Sequence, residues 1–221
     1  EESRVYQAGD EPRYMNWKLN ARTGDLYMKV FREERRTGVF VLLDRRKKML
    51  SGTRTRLKVT QAARAVACIA FSAQQRHASI GAVILETTEK NPILIKEKND
   101  KQAVAELIRT ACVPCSPVTE FNDSNNQSAQ CEIDRSLNIL LETVVSGSNI
   151  YLIGDFIDMG ERQRSKLLQL SAHNTVNAIH IVDPSEKKLP KIGNLRFHST
   201  ENSKDIMIDT SNTLVNKAYK D

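Results

Sequence analysis

No stretch of the 221-residue sequence approaches the ~18 consecutive apolar residues that a membrane-spanning helix requires, which excludes a span within this chain. A signal peptide is lacking, and so is an initiator Met, so we expect a piece of a longer protein. Aromatic residues are scarce, at 5%. Ala, Val, Leu and Ile must therefore fill most of any core.

Cysteines and catalytic motifs are equally sparse. The four Cys residues are too few and too irregularly spaced for a disulfide scaffold, which favours a reducing compartment and a cytoplasmic location. Cys112 and Cys115 have metal-like spacing, but no second pair completes four ligands. A phosphate-binding loop, a nucleophile elbow and the zinc motif His-Glu-x-x-His are all missing. We therefore predict no enzymatic activity and no cofactor.

The remaining composition is that of a folded, mildly basic globule. Hydrophobic residues make up 40% of the sequence, enough for a packed core, and the net charge is +6. That charge favours acidic partners without indicating nucleic acid. The basic stretch of Arg54, Arg56 and Lys58 contains no aromatic residue that could stack on bases. We therefore predict a partner other than nucleic acid.

Strand and helix patterns alternate along most of the chain. Short apolar runs predict buried strands, and segments with apolar residues at helical spacing predict the helices between them. The predicted strands lie near residues 26–31, 39–44, 79–86, 92–96, 149–153, 176–182, 195–197 and 205–208. The predicted helices lie near residues 57–73, 99–109, 133–145, 162–172 and 213–219. This alternation predicts an α/β fold with a doubly wound, mostly parallel sheet flanked by helices.

Three further features refine the predicted organisation. Residues 1–37 predict a small N-terminal β extension that is part of the same domain, and residues 38–221 predict the main α/β domain. The short turn between the strands at 79–86 and 92–96 predicts an antiparallel hairpin at one edge of the sheet. Residues 113–130 are rich in Pro, Ser, Asn and Gln and predict a mobile loop.

Two acids come at the ends of predicted strands. Asp44 follows the apolar run 39–43, and Asp155 follows the strand 149–153 and Gly154. Because successive parallel strands point the same way, their carboxyl ends share one edge, which is where open α/β sheets bind ligands. Carboxylates at such an edge are suited to hold Mg²⁺. The sequence therefore predicts a candidate site there.

The residues that follow Asp44 argue against a metal. Hydroxyl groups at the second and fourth positions after it would complete a magnesium site, but these positions hold Arg46 and Lys48, beside Arg45 and Lys47. A cation ~4 Å from another costs about 4 kcal/mol at an effective dielectric of ~20, and a divalent ion roughly doubles that. Two interpretations remain open. In the first, Arg46 or Lys48 pairs with Asp44 or Asp155, or both point into solvent; in the second, they form a surface for an acidic partner.

Several short motifs are spread over the chain. The longest, residues 6–13, reads Tyr-Gln-Ala-Gly-Asp-Glu-Pro-Arg. The others are Trp17, residues 21–24 (Ala-Arg-Thr-Gly), residues 31–35 (Phe-Arg-Glu-Glu-Arg), Gly52 with Lys58, and residues 183–186 (Asp-Pro-Ser-Glu) with Leu189, Pro190 and Gly193. Together these motifs resemble the signatures of domain-of-unknown-function family 58, from about residue 4 to the end of the chain.

That family is similar to von Willebrand factor A domains. The resemblance implies a metal-ion-dependent adhesion site at the carboxyl edge of the sheet, with the pattern Asp-x-Ser-x-Ser, a Thr and a further Asp. In this chain Asp44 keeps the first position, Arg46 and Lys48 replace the serines, Cys131 falls near the Thr position, and Asp155 matches the last acid. The resemblance therefore implies a degenerate adhesion site in which no metal is expected.

We predict that the chain is a protein–protein interaction module. The resemblance implies an adaptor that works with a MoxR-type AAA+ ATPase in the assembly or maturation of other proteins. The alternative is a magnesium-dependent binding module of the same fold, in which Asp44, Asp155 and Asp158 hold the ion. The predicted partner surface lies at the carboxyl edge of the sheet and comprises Arg45, Arg46, Lys47, Lys48, Asp155 and Asp158.

Overall fold

The computed structural model describes residues 2–30, 37–53, 55–86, 91–115, 126–157, 159–198 and 205–219. The chain forms two compact units, residues 1–35 and residues 36–221. That the first unit belongs to the same domain as the second stays a prediction. No helix within the described ranges is long and apolar enough to cross a membrane.

The first unit holds a two-stranded antiparallel sheet and a short helix. Its elements are β1 (Glu2–Val5), a 3-10 turn (Pro12–Tyr14), α1 (Trp17–Thr23) and β2 (Tyr27–Val30). Asn16 caps α1 because its side chain accepts a hydrogen bond from the backbone N–H of Leu19 at 3.2 Å. Gly24 ends the helix with a φ of 80°, a conformation that favours glycine.

The second unit alternates strands and helices. Its strands are β3 (Val39–Asp44), β4 (Ile80–Leu85), β5 (Ile93–Lys98), β6 (Asn149–Gly154), β7 (Thr175–His180), β8 (Asn194–His198) and β9 (Asp205–Asp209). Its helices are α2 (Lys58–Gln75), α3 (Lys101–Cys112), α4 (Asn126–Thr143), α5 (Glu161–Ser171), α6 (Pro184–Lys187) and α7 (Thr213–Ala218), and Lys47–Leu50 is a 3-10 turn.

The central sheet has five strands in the order β5-β4-β3-β6-β7. Strands β3, β4, β6 and β7 are parallel, and β5 is antiparallel to β4. The predicted fold class and the predicted hairpin at one edge are thus confirmed. Because β4 lies on one side of β3 and β6 on the other, the strand order reverses between β3 and β6. Strands β8 and β9 pair with each other in a separate antiparallel hairpin.

Helices cover both faces of the sheet because β3 is apolar on both sides. Val39, Val41 and Leu43 pack in one buried cluster with residues of α2 and α3. Phe40 and Leu42 point the other way and pack in a second cluster with residues of α4 and α5. This alternation follows from the two-residue period of a strand. The site at the sheet edge therefore rests on a rigid, doubly covered base.

One expectation about local structure is wrong, and one helix was not predicted. Helix α4 begins at Asn126, so the loop predicted over 113–130 does not extend over residues 126–130, and residues 116–125 lie outside the described ranges. The polar first turn of α4 lacks the apolar spacing on which the prediction rested, although Gln and Ala are good helix formers. Helix α1 is missed for the same reason.

Candidate functional site

Asp44 and Asp155 stand at the carboxyl ends of adjacent parallel strands. Asp44 is the last residue of β3, and Asp155 directly follows β6. The register pairs Leu43 with Ile153, and a Cβ atom on Gly154 would lie 3.1 Å from that of Asp44. Both acids are buried, at 7% and 3% exposed. The sheet therefore brings the two predicted acids together where the strand order reverses.

Arg46 binds Asp44 in a bidentate contact. Its Nη2 donates to Oδ2 at 2.6 Å, its Nε donates to Oδ1 at 2.9 Å, and its backbone N–H donates to Oδ1 at 3.0 Å. A planar guanidinium matches the two oxygens of a carboxylate, which makes such pairs strong and directional. Its Nη1 lies 3.7 Å from Oε2 of Glu132 on α4. Arg46 is itself only 7% exposed, so it is an internal counter-ion of Asp44.

A divalent ion does not fit this arrangement. Both oxygens of Asp44 accept hydrogen bonds from Arg46, so an ion would have to displace the guanidinium. Magnesium needs several oxygen ligands. The described residues contain no cluster of three or more His, Cys, Asp or Glu that could hold a metal. A cavity of about 20 Å³ beside Asp44 is otherwise lined by Leu42, Leu85, Ile133, Ile153, Gly154, Phe156 and Met159.

Lys58 is the counter-ion of Asp155. It is the first residue of α2 and is buried. Its Nζ lies 3.3 Å from Oδ2 of Asp155 and 2.6 Å from Oε1 of Glu186 in α6. The backbone N–H of Lys58 donates to the carbonyl of Ser51 at 2.9 Å. A buried ammonium group requires opposite charge and hydrogen bonds. Lys58 meets this requirement by tying α2, β6 and α6 together.

Arg45 fastens the end of α3 to the sheet. Its Nη1 donates to Glu86 and to the carbonyl of Thr110, the latter at 2.6 Å. Its Nη2 donates to the carbonyl of Val113 and lies 3.2 Å from Sγ of Cys115. Only 3% of Arg45 is exposed. Its charge is therefore neutralised inside the protein by Glu86, just after β4, and by carbonyl groups at the end of α3.

Burial divides the residues predicted to contact a partner. Lys47 is half-buried and Lys48 is exposed, both in the 3-10 turn that follows β3. Asp158 lies outside the described ranges. Partner contact by the six residues stays a prediction, although three of them expose too little surface to form an extensive contact: Arg45, Arg46 and Asp155.

Phe156 and Ile157 shape the exposed part of the edge. Phe156 has a φ of 58°, a left-handed conformation that is uncommon for an aromatic residue. Its ring centroid lies 5.8 Å from that of His180 at the end of β7. Ile157 is 65% exposed although it is apolar. Strained backbone of this kind clusters at functional sites, because the surrounding structure must enforce it.

The resemblance places Cys131 near the Thr position of the adhesion site, and this assignment stays a prediction. Cys131 is exposed on α4. The α4 residue that approaches Arg46 is its neighbour Glu132. Consecutive helical residues are rotated by about 100° about the axis, since a turn takes 3.6 residues. Cys131 and Glu132 therefore project in different directions.

Asp183 anchors a second polar cluster at the start of α6. Its carboxylate accepts from the backbone N–H of Ser185 at 2.9 Å, from the hydroxyl of Ser185 at 2.6 Å, from the backbone N–H of Thr53 at 2.9 Å and from the hydroxyl of Thr53. Glu186 accepts in turn from the backbone N–H of Asp183 at 2.8 Å. The hydrogen bonds from Ser185 and Thr53 hold the pKa of Asp183 well below its ordinary value of 3.8.

Replacing Asp183 with Asn is expected to reduce the loss of unfolding free energy that the protein shows as the pH falls below about 4. A carboxyl group with a lowered pKa stabilises the fold fully above its unfolded-state pKa of about 3.9, and this contribution is lost as the pH falls toward the folded-state value. Asp183→Asn should also cost about 1–2 kcal/mol near neutral pH through the lost charged hydrogen bonds. Urea unfolding at a series of pH values measures both effects.

The matched control for this variant is Glu161→Gln. Its side chain is 86% exposed, so removing its charge should leave the pH profile close to that of the wild type. If Asp183→Asn loses stability on acidification as steeply as the wild type, the charge of Asp183 contributes nothing to that loss.

Sequence reasoning missed Lys58 as the counter-ion of Asp155 and the acids that bind Arg45 and Lys58. Lys58 figured only as part of a basic stretch and of a family motif, Glu186 only as part of another family motif, and Glu86 only as the end of a predicted strand. A lysine at the first position of an Ala-rich helix was the available signal, because a cation there opposes the helix dipole and requires nearby acids. The partners of Arg45 lie in α3 and just after β4, far away in sequence, so no local sequence pattern predicts them.

Nearly the whole chain matches one protein family. The model of a family described as "Protein of unknown function DUF58" matches residues 2–221. Uncharacterized proteins of Mycobacterium tuberculosis and Mycobacterium bovis are each 24% identical to this chain over 201 residues. The alignments cover 90% of this chain and 60% of each relative. This chain therefore spans about 60% of the length of the curated relatives it matches.

Solved structures give a likeness of fold. The conserved hypothetical protein BatB from Bacteroides thetaiotaomicron superposes with a TM-score of 0.50 at 12% identity, over 83% of this chain and 85% of BatB. The VWA domain of SpRpn10 gives a TM-score of 0.33 at 10% identity, over 66% of this chain and 89% of that domain. The likeness to BatB shows the fold alone, an α/β sheet flanked by helices.

Proposed function

The chain belongs to the DUF58 family, as its motifs predicted, and we propose that it is a non-enzymatic protein–protein interaction module with a degenerate adhesion site. The observation that carries this proposal is the bidentate contact of Arg46 with Asp44. In an adhesion site that works through a metal, the ion would bridge the protein to an acidic group of the partner. Here a cation of the chain itself holds the first acid.

The same contacts support the proposed absence of catalytic activity. A carboxylate that acts as a general base needs a free oxygen within hydrogen-bond reach of the proton that it removes. Arg46 engages both oxygens of Asp44, and Lys58 and the backbone N–H of Ile157 engage those of Asp155. These contacts support a structural role for both acids. The edge then serves as a preformed docking face.

The proposed docking face consists of the exposed residues around the buried pairs. Lys47 and Lys48 supply positive charge, and Ile157 supplies an apolar contact. Exposed apolar side chains with charged neighbours are typical of interfaces with a small apolar centre and a polar rim. A partner with an acidic surface would complement this face. Arg45, Arg46 and Asp155 support the face from below.

The proposed partner is a MoxR-type AAA+ ATPase, with which the chain would act in the cytoplasm as an adaptor in protein assembly or maturation. This choice rests on the family resemblance alone. The chain spans about 60% of the length of its curated relatives, so the rest of a longer protein would also be able to contact the partner. The experiment below therefore compares variants in the longest protein that contains the chain.

We expect the double variant Lys47→Glu/Lys48→Glu to bind the ATPase of the same organism at least about tenfold more weakly than the wild type. The substitutions place like charges where the proposed interface has opposite charges. A tenfold increase in Kd corresponds to about 1.4 kcal/mol of binding free energy. Biolayer interferometry at fixed ionic strength measures the affinity. The matched control is Lys98→Glu/Lys101→Glu, because Lys98 pairs with Ile80 at the amino end of β4, on the opposite edge.

Two results would contradict the proposal. Unchanged affinity of the Lys47/Lys48 variant for the ATPase would show that the sheet edge is not part of the contact surface. Tight binding of Mg²⁺ or Mn²⁺ to the wild-type chain in a calorimetric titration would instead support the metal-dependent alternative, with Asp44 and Asp155 as ligands after displacement of their cations.

A further inference from the structure

An apolar groove runs across the second unit between α6, the segment after it and the β8–β9 hairpin. Its volume is about 1140 Å³. Leu189 is buried in it, Leu195 and Phe197 of β8 are half-buried, and Ile192 and Tyr219 are exposed. The groove uses none of the residues assigned to the docking face at the sheet edge. It is large enough for several side chains of a peptide.

The rim of the groove is positively charged. Lys187, Lys188 and Lys191 line it, and all three residues are exposed. Among the described residues that line the groove, none carries a carboxyl group. Lysines that border an apolar surface hold their charged heads in water and can turn toward an anion of a ligand. The charge of this surface therefore selects for acidic groups.

The β8–β9 hairpin leaves apolar side chains uncovered. Ile192, just before it, is 65% exposed, and Ile206 and Met207 of β9 are 53% and 64% exposed. In the described part of the chain, β8 and β9 pair only with each other. An isolated two-stranded hairpin is marginally stable in water and gains stability when another element covers its apolar surface. Ile206 pairs with Phe197 and so shares its face of the hairpin, whereas Met207 pairs with Arg196 on the opposite face.

We propose that this groove binds an acidic, amphipathic peptide segment of a protein partner. The apolar side chains of such a segment fill the space over Leu195, Phe197 and Ile192, and its carboxylates meet the lysines of the rim. The proposal goes beyond the function assigned to the sheet edge, because it concerns other residues and stands if that edge contacts nothing.

The lining favours a peptide over the other classes of ligand that lysines attract. Single-stranded nucleic acid needs aromatic faces on which successive bases stack. Of the two aromatic residues among the described residues that line the groove, Phe197 is half-buried and Tyr219 is exposed, so successive bases would find one accessible ring. A concave groove also fits an extended chain or a helix better than it fits the plane of a bilayer. Apolar anchors in a groove with a charged rim are the usual way in which folded domains recognise peptides.

Occupation of the groove would reach the buried charge network through α6. Pro184 and Ser185 line the groove. Asp183 and Glu186, in the same turn, bind Thr53 and Lys58. A peptide bound against α6 would therefore contact the helix whose Glu186 neutralises Lys58. Through Glu186 and Lys58, α6 connects the groove to Asp155 at the sheet edge, which the peptide itself would not contact.

The test is a selection of random peptides displayed on phage against the longest protein that contains the chain. We expect the enriched peptides to carry an excess of Asp and Glu interleaved with large apolar residues. Synthetic, fluorescently labelled copies should bind at least about tenfold more weakly to Lys187→Glu/Lys188→Glu/Lys191→Glu, because like charges then face each other. Fluorescence polarisation measures the affinity, and far-UV circular dichroism confirms that each variant is folded.

Two further variants separate the groove from general charge effects. Ile192→Ser removes an exposed apolar contact without altering charge and should also weaken binding. Lys96→Glu/Lys98→Glu/Lys101→Glu makes the same change of charge on β5 and α3 and should bind the peptides like the wild type.

The proposal is overturned by any of four results. These are a selection that enriches nothing, enriched peptides without acidic excess, peptide affinities that the groove variants do not change, and a preference for anionic ligands of another class. The last is read from phosphatidylserine vesicles and from single-stranded DNA. Stronger binding of either one, lost in the triple groove variant, would assign the groove to lipid or to nucleic acid.

Discussion

Arg46→Met is expected to lower the free energy of unfolding by about 3–5 kcal/mol, because it leaves Asp44 buried without its cation. Methionine keeps much of the apolar volume of the arginine stem, so the loss reports on charge more than on packing. For a chain of this size each kcal/mol moves the melting temperature by roughly 2–4 °C, so the total shift should be roughly 6–20 °C. Urea unfolding and thermal melting measure the two quantities.

The matched control is Arg164→Met on α5. Arg164 also contacts a carboxylate, with Nη1 3.3 Å from Oε1 of Glu161, but its side chain is 70% exposed. Exposed pairs contribute little to stability, so this variant should melt close to the wild type. Equal behaviour of the Arg46 and Arg164 variants would mean that water reaches Asp44 and that the edge is open rather than sealed.

The double variant Asp44→Asn/Arg46→Met adds an internal check. Removing both charges leaves no uncompensated ion, so the double variant should be more stable than Arg46→Met alone. Millimolar Mg²⁺ should leave the melting temperature of Arg46→Met unchanged, since the surroundings of Asp44 offer few oxygen ligands. Stabilisation that grows with Mg²⁺ concentration would show that Arg46 alone keeps a working metal site closed.

The sheet was predictable because burial imposes a pattern on it. The strands β3 and β4 are buried along their whole length, and such continuous apolar runs are what a strand covered on both faces requires. The antiparallel edge followed from the short connection between β4 and β5. Helix α1 and the first turn of α4 could not be predicted in the same way, because polar helices carry no apolar period.

The site was predictable only in part. The position of Asp44 at the sheet edge follows from strand direction, and pairing of the cations with nearby acids was one of the two open interpretations. The sequence left Arg46 and Lys48 open as partners of Asp44 or Asp155, and the choice depends on the direction in which each side chain leaves the turn. Arg46 reaches Asp44, whereas Arg45 turns toward Glu86 and α3. Such a choice is a tertiary property and leaves no trace in local spacing.

The second large effect is expected for Lys58→Met, which should also cost about 3–5 kcal/mol. The substitution removes the cation that neutralises Asp155, whose side chain is 2% exposed, and leaves Glu186 without its 2.6 Å contact. Because Lys58 joins α2, β6 and α6, the loss should spread beyond one side chain. Urea unfolding of the variant and the wild type measures it.

Lys101→Met is the matched control for this variant. Lys101 is the first residue of α3, as Lys58 is of α2, but it is exposed. Both substitutions remove a cation that the positive end of a helix disfavours, which by itself should stabilise slightly. Lys101→Met is therefore expected to be neutral or mildly stabilising. A similar result for Lys58→Met would mean that Asp155 and Glu186 do not depend on the lysine.

The location of the damage distinguishes a broken network from a general loss of stability. Hydrogen exchange in Lys58→Met should show lost amide protection at α6 under conditions where β3 and β4 remain protected. The reason is that α6 has four residues and depends on contacts of Asp183 and Glu186 with Thr53 and Lys58. Uniform loss of protection over the whole second unit would contradict this account, because Lys58 would then support the core rather than the connection between the sheet edge and α6.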